Sequence, residues 1–229
     1  MLTARVGPAS VWCSGVPAGN VGDHVGDDPA AVARNRGALA AAAGLPASDL
    51  WVWLRQVHGA DVFEAAAPTK SSTPPEADAA VTATRGLPLA VVTADCAPVV
   101  LASADAVGVV HAGHRGLAAG VIEAAVARVR VHGGAAVHAF LGPCIRPASY
   151  EFGAADLAEL VLQFGPSIEG RTAWGTRALD LPAGVRIALA RAGVEDFDDC
   201  GVDTFAAPDY FSYRRDVATG RQVTVAVLP

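Results

Sequence analysis

The sequence predicts a mixed α/β (α+β) fold, a single domain over residues 1–229 in which mixed β-sheets are flanked by helices. Three observations carry that prediction. Several short, continuously apolar segments have strand length; helical segments with start and stop signals alternate with them; and neither a low-complexity linker nor a fixed-period repeat divides the 229 residues. A chain of this length buries a core without disulfide staples.

Asp28 to Gly44 offers an N-cap, proline at the first helical position and a terminal glycine, and so predicts a helix. Trp51 to His58 (WVWLRQVH) is rich in β-branched and aromatic residues. Together with the apolar VFEA after Asp61, it predicts two strands around a turn, with His58 at a strand end. Pro68 to Pro75 has no periodicity and predicts a loop. The segments AVTA, LAVVTA, PVVLA and VGVVHA, between Ala80 and Ala112, have the form of strands buried on both faces, so that Asp95, Cys96 and His111 fall where strands stop. Gly116 to Val131 predicts a helix, VHAFLG a strand, and Cys144 to Pro147 a turn. Two further helices, Ala154 to Phe164 and Pro182 to Ala192, precede YFSYRRD and a closing strand RQVTVAVL.

The composition, 52% hydrophobic and 17% charged with net charge −6, lacks the basic excess that binds nucleic acid. No apolar run approaches the roughly 20 residues that span a bilayer, and the amino terminus lacks an export signal. A cytoplasmic protein acting on a small molecule, without nucleic acid or membrane as partner, is expected. Four cysteines (Cys13, Cys96, Cys144, Cys200) in a reducing compartment then serve as buried thiols, nucleophiles or metal ligands.

His58, Cys96 and His111 stand at strand ends. Their separations, 38 and 15 residues, are too wide and uneven for a zinc finger. If the fold brings them together, a His₂Cys set with a fourth position open to water has the composition of a catalytic zinc site. The residues alone leave open a buried cysteine with hydrogen-bonded core histidines. Arg115 precedes a helix, where a guanidinium and free N–H groups favour an anion such as phosphate; pairing with a surface carboxylate is the other reading. Arg214 and Arg215 form a second cationic pair, for which a structural ion pair with the adjacent Asp216 and contact to substrate are both open. Asp95 is placed either to orient a histidine ligand through its second ring nitrogen or to cap a strand. Cys144, in a Gly-Pro turn, is expected to be packed, with a nucleophilic role as the alternative.

RQVHGADV (55–62), TADCAPVVL (93–101), GVVHAGHRGLAAGV (108–121), LGPCIRPASYEF (141–152), FSYRRD (211–216) and TGRQ (219–222) occur in that order. Together they resemble the YfiH-like family, long catalogued as laccase-domain or multicopper polyphenol oxidoreductases and described as purine nucleoside phosphorylases with adenosine deaminase activity. The resemblance implies that His58, Cys96 and His111 are both the metal ligands and the catalytic set. It also implies that purine nucleoside and phosphate are the substrates, with His114, Arg115 and Arg215 as candidate contacts to them. The donor set fits zinc better than copper, since a blue-copper site also wants a weak axial ligand such as Met and the one methionine is Met1.

The chain departs from the family in places. His114 stands where the family carries tryptophan, which leaves it as a substrate hydrogen-bond donor or an extra ligand. No basic residue lies between Trp12 and Asn20, where the family has an arginine, and Asp203-Thr204 replaces its Cys-Thr. Competing readings are a Cys-His hydrolase of cell-wall peptides using Cys96, a copper-dependent polyphenol oxidoreductase (laccase), and a metal-stapled interaction module.

Overall fold

The computed structural model describes residues 1–69 and 74–229. Twelve strands run through them: β1 (Leu2–Val6), β2 (Ala9–Cys13), β3 (Val62–Glu64), β4 (Ala79–Thr82), β5 (Leu89–Thr93), β6 (Ala97–Ala102), β7 (Val107–Ala112), β8 (His138–Leu141), β9 (Glu169–Arg171), β10 (Arg177–Leu179), β11 (Asp196–Asp199) and β12 (Gln222–Val227). The α-helices are α1 (Pro29–Ala43), α2 (His114–Ala118), α3 (Val121–Gly133), α4 (Ala154–Phe164), α5 (Leu181–Arg191) and α6 (Tyr213–Asp216).

The strands form an antiparallel four-stranded sheet in the order β1-β2-β12-β5 and a mixed six-stranded sheet in the order β11-β8-β6-β7-β4-β3, with β9 and β10 as a separate pair. Within the larger sheet β3 runs parallel to β4 and β11 parallel to β8, while the central pairs are antiparallel.

Side-chain alternation shows how these parts stack. Ala90 and Val92 of β5, with Val223 and Val225 of β12, share a cluster with Leu39 of α1 and with Trp51 and Trp53; Leu89 and Val91 join Val100, Val107 and Val109 of the other sheet. The opposite face of that sheet, Val99, Leu101 and Val110, packs on α3, α4 and α5 through Ile122, Leu160 and Leu189. The layers are therefore helix, sheet, sheet, helix. Each central strand is covered on both sides, which is why it reads as continuously apolar even though its neighbours are antiparallel.

The expected helix from Asp28 is present: the Asp28 carboxylate accepts the Ala30 N–H, and Gly44 closes α1 in the left-handed conformation. Trp51 to His58 is not a strand. It touches its neighbours through isolated bridges at Val52 and Arg55, because side chains take much of the pairing: Trp53 N–H donates to Thr69 Oγ1, and the Gln56 amide bonds both N–H and C=O of Val92. The helix expected over Gly116 to Val131 begins earlier, at His114, and breaks at Gly120, whose φ of +86° divides α2 from α3. The expected loop from Pro68 falls in part on residues 70–73, outside the described residues. No helix among the described residues is long and apolar enough to cross a membrane.

Candidate metal centre

At Asp95-Cys96 the chain leaves β5 in one sheet and enters β6 in the other. This crossing is sharp. Asp95 has φ +93°, a conformation that costs a non-glycine residue, and it is held from three sides: its carboxylate accepts Thr204 Oγ1 and the Arg214 N–H, each at 2.7 Å, while its carbonyl accepts the Ile145 N–H. Asp95 therefore orients the Thr204 and Arg214 segments and not a histidine ligand. Cys96 projects at the seam between the sheets. His111, one residue from the end of β7, arrives there from the neighbouring strand, and His58 comes from the loop before β3.

The ligand atoms of His58, Cys96 and His111 lie within 4.8 Å of one another, and the two imidazoles meet edge to face with centroids 4.8 Å apart. Cys96 Sγ is 3.8 Å from His58 Nε2. His111 is buried, Cys96 half-buried and His58 exposed, so the cluster opens to solvent on one side. The glycine before α2 makes this approach possible: a Cβ on Gly113 would lie 2.9 Å from His58 Cδ2 and 3.0 Å from Cys96 Sγ.

The carboxylate that organises the cluster is Asp78, which sequence reasoning did not single out. It is fully buried, and its two oxygens accept four hydrogen bonds. Oδ1 takes the His58 N–H at 2.9 Å and His111 Nδ1 at 2.7 Å; Oδ2 takes the Gly59 N–H at 2.7 Å and the Val57 N–H at 3.1 Å. One residue thus fixes the loop carrying His58 and the ring orientation of His111. With Nδ1–H turned to Asp78, His111 presents Nε2 to the cluster, the arrangement that metal-ligating histidines favour. The signal in the sequence is a lone aspartate inside the apolar run EADAAVTA, since a buried carboxylate needs partners.

Electrostatics follow. Burial alone pushes the Cys96 thiol up, but His111 and His58 outweigh it and hold the thiol below its ordinary value. Burial would likewise depress His111, yet Cys96 and the Asp78 hydrogen bond raise it. Two imidazoles and a readily ionised thiol, with a conformation-fixing carboxylate behind them, fit a borderline metal such as zinc.

The other expected residues are dispersed. The cavity of about 350 Å³ over the cluster is lined by His24, Thr93, Tyr213 and Arg221 beside His58, Cys96 and His111. His114 lies outside the ligand cluster. Its ring packs edge-on against Phe152 at 5.2 Å, 3.5 Å from the Tyr150 hydroxyl, and burial holds its pKa below the ordinary value. Arg115 is exposed and shares with His114 a different cavity, facing Asp156 and Glu159. Arg215 is turned into the protein: it donates to the carbonyls of Thr204, Phe205, Ala207 and Tyr210 and pairs with Asp216, leaving it no edge for a substrate anion. Cys144 is fully buried with its thiol pushed up, the state of a packed cysteine.

A family model described as multi-copper polyphenol oxidoreductase laccase matches residues 2–229. The chain belongs to this family. Among members of the laccase-like family, it is 45% identical to a protein of Streptomyces coelicolor named purine nucleoside phosphorylase, over 88% of this chain and 84% of that one. A Mycobacterium tuberculosis protein of the same name is 46% identical over 88% and 81%. A solved structure from Neisseria meningitidis superposes with TM-score 0.83 at 33% identity, covering 99% of this chain and 98% of the other, and YlmD of Geobacillus stearothermophilus gives 0.84 at 29%, covering 99% and 97%.

Proposed function

We propose that this laccase-like family member is a zinc-dependent purine nucleoside phosphorylase that also deaminates adenosine, acting in the cytoplasm as one unit over residues 1–229. The observation that carries the reading is the convergence of His58, Cys96 and His111 beneath an open cavity, with Asp78 fixing two of them. The relatives' names support the phosphorylase half. Zinc, when bound, supplies a Lewis acid that activates water and stabilises developing negative charge.

The remaining work belongs to the chain. Asp78 holds His111 in the tautomer that frees Nε2, and Cys96 serves as thiolate. Tyr213, exposed at the cavity rim, presents an aromatic face to a purine. In phosphorolysis a phosphate oxygen bonds to the sugar's anomeric carbon as the carbon–nitrogen bond to the base breaks. The products are a pentose 1-phosphate and a free purine that takes up a proton. In deamination, water adds at the amino-bearing purine carbon and ammonia leaves.

The test is metal content measured beside product analysis with adenosine, with and without phosphate. Stoichiometric zinc, with loss of both activities in His58→Ala and Cys96→Ala, is expected. Full activity in metal-stripped Cys96→Ala protein overturns the reading. A Cys-His hydrolase is the second reading, favoured by the lowered Cys96 thiol near His58; it requires that alkylating Cys96 in the metal-free protein abolish peptide hydrolysis.

A further inference from the structure

A second cavity, of about 410 Å³, shares no lining residue with the one over the metal centre. Its size is that of a small-molecule site. Three aromatic residues line it, Phe152, Trp174 and Phe205, together with Glu151 and Arg214. Trp174 is 52% exposed, yet the backbone that carries it is pinned. It sits in the turn between β9 and β10, where the Thr172 N–H donates to the Thr176 carbonyl at 3.0 Å and the Ala173 N–H to the Ala148 carbonyl at 2.8 Å. Its indole Nε1–H donates to Glu151 Oε2 at 2.9 Å, and its ring tilts 43° to that of Phe205 with centroids 6.2 Å apart. A tryptophan open to water but fixed in one orientation is a stacking platform that a flat ligand need not order.

The two charges of this cavity are unpaired. Glu151 gives Oε2 to Trp174, and among the described residues its Oε1 has no hydrogen-bond partner. Arg214 makes no ion pair among them either. Its backbone N–H is held by Asp95, and its guanidinium lies over the Tyr150 ring, 5.1 Å from the centroid. An aromatic ring offers the cation no carboxylate oxygen, so N–H donors remain for a ligand. A flat ring that carries a lactam edge answers both groups: its N–H donates to the carboxylate, and its carbonyl oxygen accepts from the guanidinium. In an oxopurine the N7 acceptor stands beside that oxygen, and an arginine fork meets the two together.

We propose that this cavity binds a free oxopurine, stacked on Trp174, with N1–H on Glu151 and with O6 and N7 on Arg214. The choice of an oxopurine among lactam rings rests on the phosphorylase reading, since phosphorolysis of inosine releases one; binding itself is measurable without turnover.

The experiment uses the zinc-loaded full chain with hypoxanthine and adenine as probes, followed by calorimetry. Hypoxanthine affinity is expected to weaken roughly tenfold or more in Trp174→Leu and in Arg214→Met, with zinc content unchanged, and to persist in Cys96→Ala, whose metal centre is broken. Glu151→Gln supplies the signature that a merely structural role would not move. Its amide oxygen keeps the Trp174 N–H, so its NH₂ takes the free position and meets a donor in hypoxanthine but the N1 acceptor in adenine. The preference for hypoxanthine over adenine is therefore expected to fall several-fold. If the parent phosphorolyses inosine but hypoxanthine affinity stays within twofold in Trp174→Leu and Arg214→Met, the site is wrong and the function stands. If the parent binds hypoxanthine through these residues yet releases none from inosine and phosphate, the site stands and the phosphorylase reading fails. Absence of hypoxanthine binding to the parent, its loss in Cys96→Ala, or an unchanged preference in Glu151→Gln overturns the site outright.

Discussion

Replacing Asp78 by asparagine keeps the shape of the side chain and removes one of its two acceptor oxygens. The geometry permits two placements of the amide. With its oxygen at the Oδ1 position, His58 N–H and His111 Nδ1 remain satisfied, but the amide nitrogen faces the N–H groups of Val57 and Gly59. Full burial of an orphaned donor costs about 1–3 kcal/mol, and these two part-buried donors lose less than that maximum, so the penalty stays below roughly 6 kcal/mol. With the oxygen at Oδ2, the amide nitrogen faces His111 Nδ1, which must become an acceptor, and the proton moves to the Nε2 that the metal needs. Either placement damages the centre, the first through the loop carrying His58 and the second through the His111 tautomer. We therefore expect Asp78→Asn to bind zinc about 10–100-fold more weakly, read by competition with a chromogenic chelator, and to unfold at lower urea.

The acid limb adds a signature. Burial pushes the Asp78 carboxyl up, but the His111 hydrogen bond and the backbone N–H groups outweigh it and leave it below its ordinary value. Its stabilisation is thus present above the unfolded value of about 3.9 and is lost as pH falls through the lower folded value. The stability gap between parent and Asp78→Asn should narrow in that window. A variant that keeps parental zinc affinity and stability across this range would refute the role given to Asp78.

Gly113→Ala places a methyl about 3 Å from two ligands, so zinc content should fall sharply while far-ultraviolet circular dichroism stays near parental. Iodoacetamide followed by peptide mapping should find Cys96 protected in zinc-loaded protein and modified first after chelation. Cys13, buried with its thiol pushed up to about 12, should stay unmodified until unfolding. Arg215→Gln removes the donors that gather four carbonyls of the Thr204 to Tyr210 loop, and limited proteolysis should cut that loop faster. Chelation should abolish activity at temperatures where the fold persists; unfolding in step with metal loss would point to a metal-stapled module.

What was legible in the chain was local. The caps of α1 are chemistry of single residues, and α4 and the doubly covered strands follow from apolar length and pattern. The Trp51 to His58 segment misled because side chains do much of its pairing: Thr69 accepts the Trp53 N–H, and the segment's own Gln56 amide bonds the distant Val92 backbone. The hairpin of β1 and β2 has half-buried, mixed faces that composition does not distinguish from coil. The His58, Cys96 and His111 set was recognisable through motif resemblance and residue types, whereas Asp78 gains meaning from where the fold carries it. Arg215 illustrates the converse: its sequence context left substrate contact and an ion pair with Asp216 both open, and in the fold it pairs with Asp216 while the loop curling around it consumes its other donors.

The seam between the two sheets also fixes an order of events. His58, Asp78, Cys96 and His111 reside on four separate stretches, and their contacts close only when β4 and β6 have both paired with β7. An unfolded chain that closes loops of this size gains little until that long-range pairing exists. The centre is therefore expected to form with that pairing, with little of it in place to recruit an ion beforehand. On the proposed zinc reading, metal occupancy would then report on that assembly: a chain that holds an ion there is one whose central strands have already paired.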